Sequence, residues 1–194
     1  MKEKLTLRNV ILWGVALTLL VLFFISFAAT VKMSTAIEGM PITITLHHAL
    51  WGSDSMTALS EGKLEGEAIP VGARAGSISG IIGVIFLLLA SGGLVAVSFL
   101  VKDEKLKKIL VFVCAGIILV GSFLLFFVGN VFYRAIAKWW NVVEGAPVTP
   151  ELVKAQYPGT PVSGYGIAAG IIGILLSGGV VVSQLVIKDK KLAK

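Results

Sequence analysis

Two glutamates stand in matching surroundings. Glu38-Gly39-Met40-Pro41-Ile42-Thr43 and Glu144-Gly145-Ala146-Pro147-Val148-Thr149 share the pattern Glu-Gly-x-Pro-Ile/Val-Thr. Gly and Pro at this spacing mark a turn that leads into extended chain. After the first, Pro41-Ile42-Thr43-Ile44-Thr45-Leu46 alternates apolar and polar, the pattern of a short strand; after the second, Thr149-Pro150-Glu151 reads as a helix N-cap, a proline at the first helical position and an acid in the first turn. The carboxylates can accept hydrogen bonds from nearby backbone and fix that turn. Two carboxylates near a symmetry axis could also bind a cation or a basic partner, which makes Glu38 and Glu144 candidate partner or ion contacts.

Other residues suited to chemistry are sparse. His47-His48 is a tempting metal pair. Neighbours on a strand point to opposite faces, however, and no nearby His or Cys completes a ligand set. Cys114 is the single cysteine, which excludes an intramolecular disulfide, a CxxC pair and a thiolate zinc site. Inside its apolar run it reads as small packing filler. Trp139-Trp140, with Tyr133, Arg134 and Lys138 beside them, have the composition of an interfacial aromatic belt and are candidate partner contacts. No catalytic constellation, metal site or cofactor motif emerges. The expectation is a non-enzymatic protein without a cofactor. An enzyme built on His47, His48 and the glutamates of the same connection is the weakest alternative.

The elements that must carry these residues follow from composition. The chain has 194 residues, of which 56% are hydrophobic and 14% charged, and its mean hydropathy is +0.93. Soluble domains carry about 25% charged residues. This balance excludes a water-soluble globule, a disordered chain and a disulfide-stapled secreted domain. Crossing the hydrocarbon core takes about 20 apolar residues. Four segments qualify, at about 10–31, 75–101, 109–133 and 164–187. Backbone groups in lipid must bond internally, so the predicted fold class is all-α, an integral membrane four-helix bundle. The first run exceeds the roughly 7–15 residues of a signal-peptide core, so it reads as a retained span.

Orientation follows from the 17 Lys and Arg residues. Residues 1–9 hold three, 102–108 hold four and 188–194 hold four. The connections 32–74 and 134–163 hold three each. The positive-inside rule places both termini and the 102–108 turn in the cytoplasm, with both long connections outside. The net charge of +6 sits mainly beside apolar runs, so membrane lipids rather than nucleic acid are the expected partners.

The chain also reads as a tandem duplication, with halves 1–102 and 103–194. Besides the two glutamate motifs, Glu3-Lys4-Leu5 matches Glu104-Lys105-Leu106, and Pro70-Val71 matches Pro161-Val162. Gly80-Ile81-Ile82-Gly83 matches Gly170-Ile171-Ile172-Gly173, and Ser91-Gly92-Gly93 matches Ser177-Gly178-Gly179. Lys102-Asp103 followed by Lys105-Leu106 matches Lys188-Asp189 followed by Lys191-Leu192. Each copy is a two-span hairpin that returns to its starting side, so the copies are parallel repeats about an axis along the membrane normal. In this alignment the second copy is four residues shorter between its two glycine motifs, about one helical turn. Small residues let helix backbones approach closely, so Gly80, Gly83, Gly92, Gly93, Gly170, Gly173, Gly178 and Gly179 are the candidate helix-packing positions.

No charged side chain lies within the spans, which counts against a proton-coupled transporter. Four spans with both ends inside and a larger first outer loop resemble the general tetraspan plan, in topology alone. The cysteine pair of the claudin-type loop and the first-span glutamate of small multidrug-type transporters are both missing. The leading expectation is a structural or accessory subunit of a larger plasma-membrane complex, meeting other membrane subunits or its own copies through glycine faces and outer loops. The second is a small oligomeric channel or facilitator with Glu38 and Glu144 at its outer mouth.

Overall fold

The computed structural model describes residues 6–37, 39–60, 63–145 and 147–187. Among the described residues four helical segments are long and apolar enough to cross a membrane: Leu7–Ala28, Ile78–Leu100, Glu104–Val143 and Gly164–Val186. They fall on the four apolar runs of the sequence. In chain order the helices are α1 (Leu7–Ile25), α2 (Ile78–Leu100), α3 (Glu104–Leu125), α4 (Val131–Val143), α5 (Pro150–Gln156) and α6 (Gly164–Val186). A 3-10 segment, Phe126–Asn130, joins α3 to α4.

The structure corrects the all-α reading. Residues that follow α1 form four strands, β1 (Val31–Ile37), β2 (Met40–His47), β3 (Ser55–Ser60) and β4 (Lys63–Ala68). They pair antiparallel in the order β1-β2-β3-β4. The cause is visible in β1, where Val31, Met33 and Thr35 are buried while Lys32, Ser34 and Ala36 are exposed. That period of two suits a sheet with one wet face. The expected alternation at 41–46 is the centre of β2. α1 therefore stops short of the expected boundary, and Val31 belongs to a strand.

The chain divides into two compact units. One, here the helical unit, comprises Met1–Phe24, Ile82–Phe123 and Ala169–Lys194. Its core is aliphatic, with Leu12, Leu19, Val84, Leu87, Leu94, Val111, Ile118 and Val180 fully or almost fully buried. Hydroxyls stitch helix to helix. Ser91 Oγ on α2 donates to Ala16 O on α1 at 2.8 Å, and Ser177 Oγ on α6 donates to Ala115 O on α3 at 2.9 Å. Trp13 Nε1 donates to Ser98 Oγ at 2.7 Å, and its ring stacks on Phe99. At one end Arg8, only 6% exposed, donates to Glu104 Oε2 at 3.2 Å and to Ile187 O at 3.0 Å. A cation at the carbonyl end of α6 also opposes that helix's dipole.

The other, the connecting unit, comprises Ile25–Ile81 and Leu124–Ala168. One face of its sheet carries Ile42, Ile44 and Leu46 on β2, level with Met56 and Ala58 on β3. The opposite face carries Ser34, Thr43, Thr45, His47 and Thr57. The free side of β1 is met by the second connection, because Lys32 and Val162 exchange backbone bonds of 2.9 and 2.8 Å. Thr35 Oγ1 adds a bond to Pro158 O at 3.1 Å.

Candidate functional site

The two glutamate motifs adopt different structures around one shared feature. Gly39 has φ +84° and lies in the tight connection between the paired residues Ile37 and Met40. Gly145 has φ +66° and follows Glu144, which caps the end of α4 by donating its N–H to Trp140 O at 2.8 Å. Both glycines hold a left-handed conformation that costs other residues about 1–2 kcal/mol. The first motif thus turns a hairpin and the second ends a helix. Asn141 braces the second, its amide pairing with both the N–H and the C=O of Val148. Thr149 then caps α5, accepting from Leu152 N with Pro150 in the first turn, as its sequence anticipates. Glu144 is exposed. Glu38 lies outside the described residues, as does Ala146.

His47 and His48 diverge. His47 Nε2 shares a hydrogen bond with Thr57 Oγ1 across the sheet at 3.1 Å. His48, at φ +50°, donates from Nδ1 to Phe27 O at 2.8 Å. Among the described residues no group of three or more His, Cys, Asp and Glu is placed to hold a metal ion.

The packing glycines fall into two sets. Gly80, Gly83, Gly170 and Gly173 are buried. A Cβ on Gly80 would come within 2.8 Å of Val128, and one on Gly173 would run into Ser122. Gly83 presents its carbonyl 2.9 Å from where a Cβ on Gly121 would sit, a close approach of α2 and α3. Gly93 is half-buried against Cys114. Gly92, Gly178 and Gly179 are exposed, and a Cβ on any of them would meet nothing within 4 Å.

Hydrogen bonding also gives two serine–glycine pairs the same local role. Ser77 precedes α2 and accepts from Gly80 N at 3.2 Å, while Ser163 precedes α6 and accepts from Gly166 N at 3.1 Å. By role, then, Gly80 pairs with Gly166 rather than with Gly170. Ser77/Ser163, Gly80/Gly166 and Ser91/Ser177 each differ by 86 positions, and so do Lys102/Lys188 and Leu106/Leu192. One constant offset removes the four-residue gap that the matching of Gly-Ile-Ile-Gly strings required.

The connecting unit also holds a cavity of about 370 Å³. Its sheet side is Ile42 and Ile44 of β2, Met56 and Ala58 of β3, and Gly66 and Glu67 of β4. Its helical side is Phe132, Ile136 and Trp139 of α4, closed by Tyr157 beyond α5. The spacing 132, 136, 139 is one stripe of a helix. Trp139 Nε1 is buried and has no hydrogen-bond partner among the described residues. Trp140 instead faces Tyr157, with ring centroids 5.8 Å apart. Burial, and next the charge of Glu144, push the Tyr157 phenol above its ordinary pKa. Candidate Trp139 thus lies in a cavity wall that the sequence reading did not foresee. The available signal was the α4 stripe facing an alternating strand, but residues 134–163 read as a connection. No protein-family model matches the chain, and no curated protein matches it.

Proposed function

We propose that the chain is a non-catalytic integral membrane protein, a structural or accessory subunit of a larger assembly in the cell membrane. It binds neighbouring membrane subunits along helix faces that its own fold leaves open. One observation carries this reading. In both Ser-Gly-Gly motifs the serine is tied inward to a neighbouring helix, which turns Gly92, Gly178 and Gly179 toward open space. Lipid supplies no hydrophobic drive for helix association, so close backbone approach at small residues is the available adhesive.

Both termini and the 102–108 turn are cytoplasmic on this reading, from the Lys and Arg distribution, and both long connections lie outside. Residues 1–102 and 103–194 descend from one duplicated hairpin. The constant offset and the paired serine bonds of α2 and α6 support that descent.

The test is purification of the full chain in mild detergent, with mass spectrometry of what accompanies it. The wild type is expected to retain at least one other membrane protein. Gly178→Leu with Gly179→Leu is expected to lose it while keeping its melting temperature, because a Cβ added at either position meets no atom of the chain within 4 Å. A wild type that purifies alone, or a double variant that keeps its partner, overturns the reading.

A further inference from the structure

We propose that the cavity of the connecting unit binds one apolar chain bearing an uncharged carbonyl oxygen near its end, such as an acyl ester or fatty amide. Protein interiors pack with few voids larger than a water molecule. The cavity here is partly open, measures about 370 Å³, and most of its wall is apolar. Such a volume lies within the range of small-molecule sites, which combine an apolar lining with a few polar groups that orient the ligand.

The wall here has that division. Ile42, Ile44, Met56 and Ala58 form an aliphatic floor, and Phe132 and Ile136 face it from α4. They offer dispersion contacts and no direction. Direction comes from Trp139. Its indole N–H is only a donor, it is buried, and it lacks an acceptor among the described residues. A buried donor left unpaired is costly, so a ligand oxygen gains about one hydrogen bond when a turn of the indole brings this N–H, which has almost no accessible surface of its own, to the cavity. Glu67 lines the same cavity. Its carboxylate repels a ligand carboxylate, which selects a neutral ester or amide over a free fatty acid.

The probe is a monoacylglycerol brominated along its chain, added to the full protein in detergent. Bromine quenches tryptophan fluorescence on contact. Saturable quenching is expected in the wild type, with weaker quenching by the same chain as a free carboxylate. Trp139→Phe, which removes the reporting indole of the wall, is expected to weaken binding about fivefold, the worth of one neutral hydrogen bond, read as probe retained per protein after gel filtration. Ala58→Phe fills the floor and is expected to abolish saturable quenching; Ile136→Phe fills the same space from the helix and serves if Ala58→Phe does not fold. An organic extract of the purified protein separates two sources. An ester lipid retained by wild type and lost from the filled variant makes the ligand a membrane lipid. Uptake of the probe by protein that carries no lipid makes it a free amphiphile. Quenching that never saturates, or that is equal in wild type and filled variants, overturns the site.

Discussion

After α1, residues 31–68 pair into four strands, whereas after α3 the chain runs on as helix to Val143 and adds a second helix at Pro150–Gln156. Both stretches contain Glu-Gly-x-Pro, and in both the glycine has a positive φ. The motif therefore fixes a reversal and an extended exit, and leaves the class of element to its flanks. In the first stretch the exit is Ile42-Thr43-Ile44-Thr45-Leu46, a period of two that a sheet can bury on one side. In the second it is Val148-Thr149-Pro150-Glu151, where a capping threonine and a proline start a helix. A recurring turn sequence can thus serve unlike structures as long as its backbone requirement is met.

The strongest way to break this contrast is to hollow the helix side. Phe132 is fully buried on α4, and Phe132→Ala is expected to cost about 3–5 kcal/mol. Thermal unfolding in detergent should show it, with new proteolytic cuts in both connections. A loss under about 1 kcal/mol would mean that α4 is not held by this packing.

Next come the two glycines. Gly39→Val and Gly145→Val should each cost about 1–2 kcal/mol from the positive φ alone. The hairpin variant should be the worse, since a strand pair has a register to lose while a helix end can fray. The reverse order in melting temperature would contradict the assignment of hairpin and cap.

A smaller effect separates the two threonines of the motif. Thr149→Ala removes a helix cap and should cost about 1 kcal/mol. Thr43→Ala removes a bond to Ser34 Oγ on the wet face of the sheet and should stay within about 0.5 kcal/mol. Equal costs would remove the distinction.

The smallest is a pH effect confined to the second connection. Tyr157 binds its proton more tightly folded than unfolded, so its contribution is full below pH 10 and falls as pH rises past that unfolded value. Glu144→Gln should move tyrosinate absorbance to lower pH by removing the secondary cause of the shift. An unchanged titration would show that Glu144 does not act on the phenol.

The four long helices were legible because uncharged runs of more than 20 residues leave few alternatives in a chain this apolar. The sheet was legible at Pro41–Leu46 alone. Val31-Lys32-Met33-Ser34-Thr35 alternates just as clearly, but it follows an apolar run without a break, so Val31 joined the span by composition. Ser55–Ser60 is short and poor in aromatic and β-branched residues, and its pairing with β2 supplies what its own propensity lacks. Gly166 was not singled out, because the identical four-letter strings at Gly80 and Gly170 drew the match, although a capping serine stands three residues before Gly166 as one does before Gly80. The cavity could not be read at all, since Ile44 and Phe132 become neighbours of one space only through the fold.

The backbone pair between Lys32 and Val162 has a consequence in time. A nascent chain can complete β1 to β4 once residue 68 is made, yet Val162, which bridges to Lys32 on the free side of β1, arrives 94 residues later. At about 5–20 residues per second that interval is on the order of 5–20 s. Throughout it β1 offers bare N–H and C=O groups to any passing strand. Newly made copies are therefore most at risk of pairing with one another during synthesis, and crowding ribosomes on one message should raise that risk more than raising the amount of finished protein.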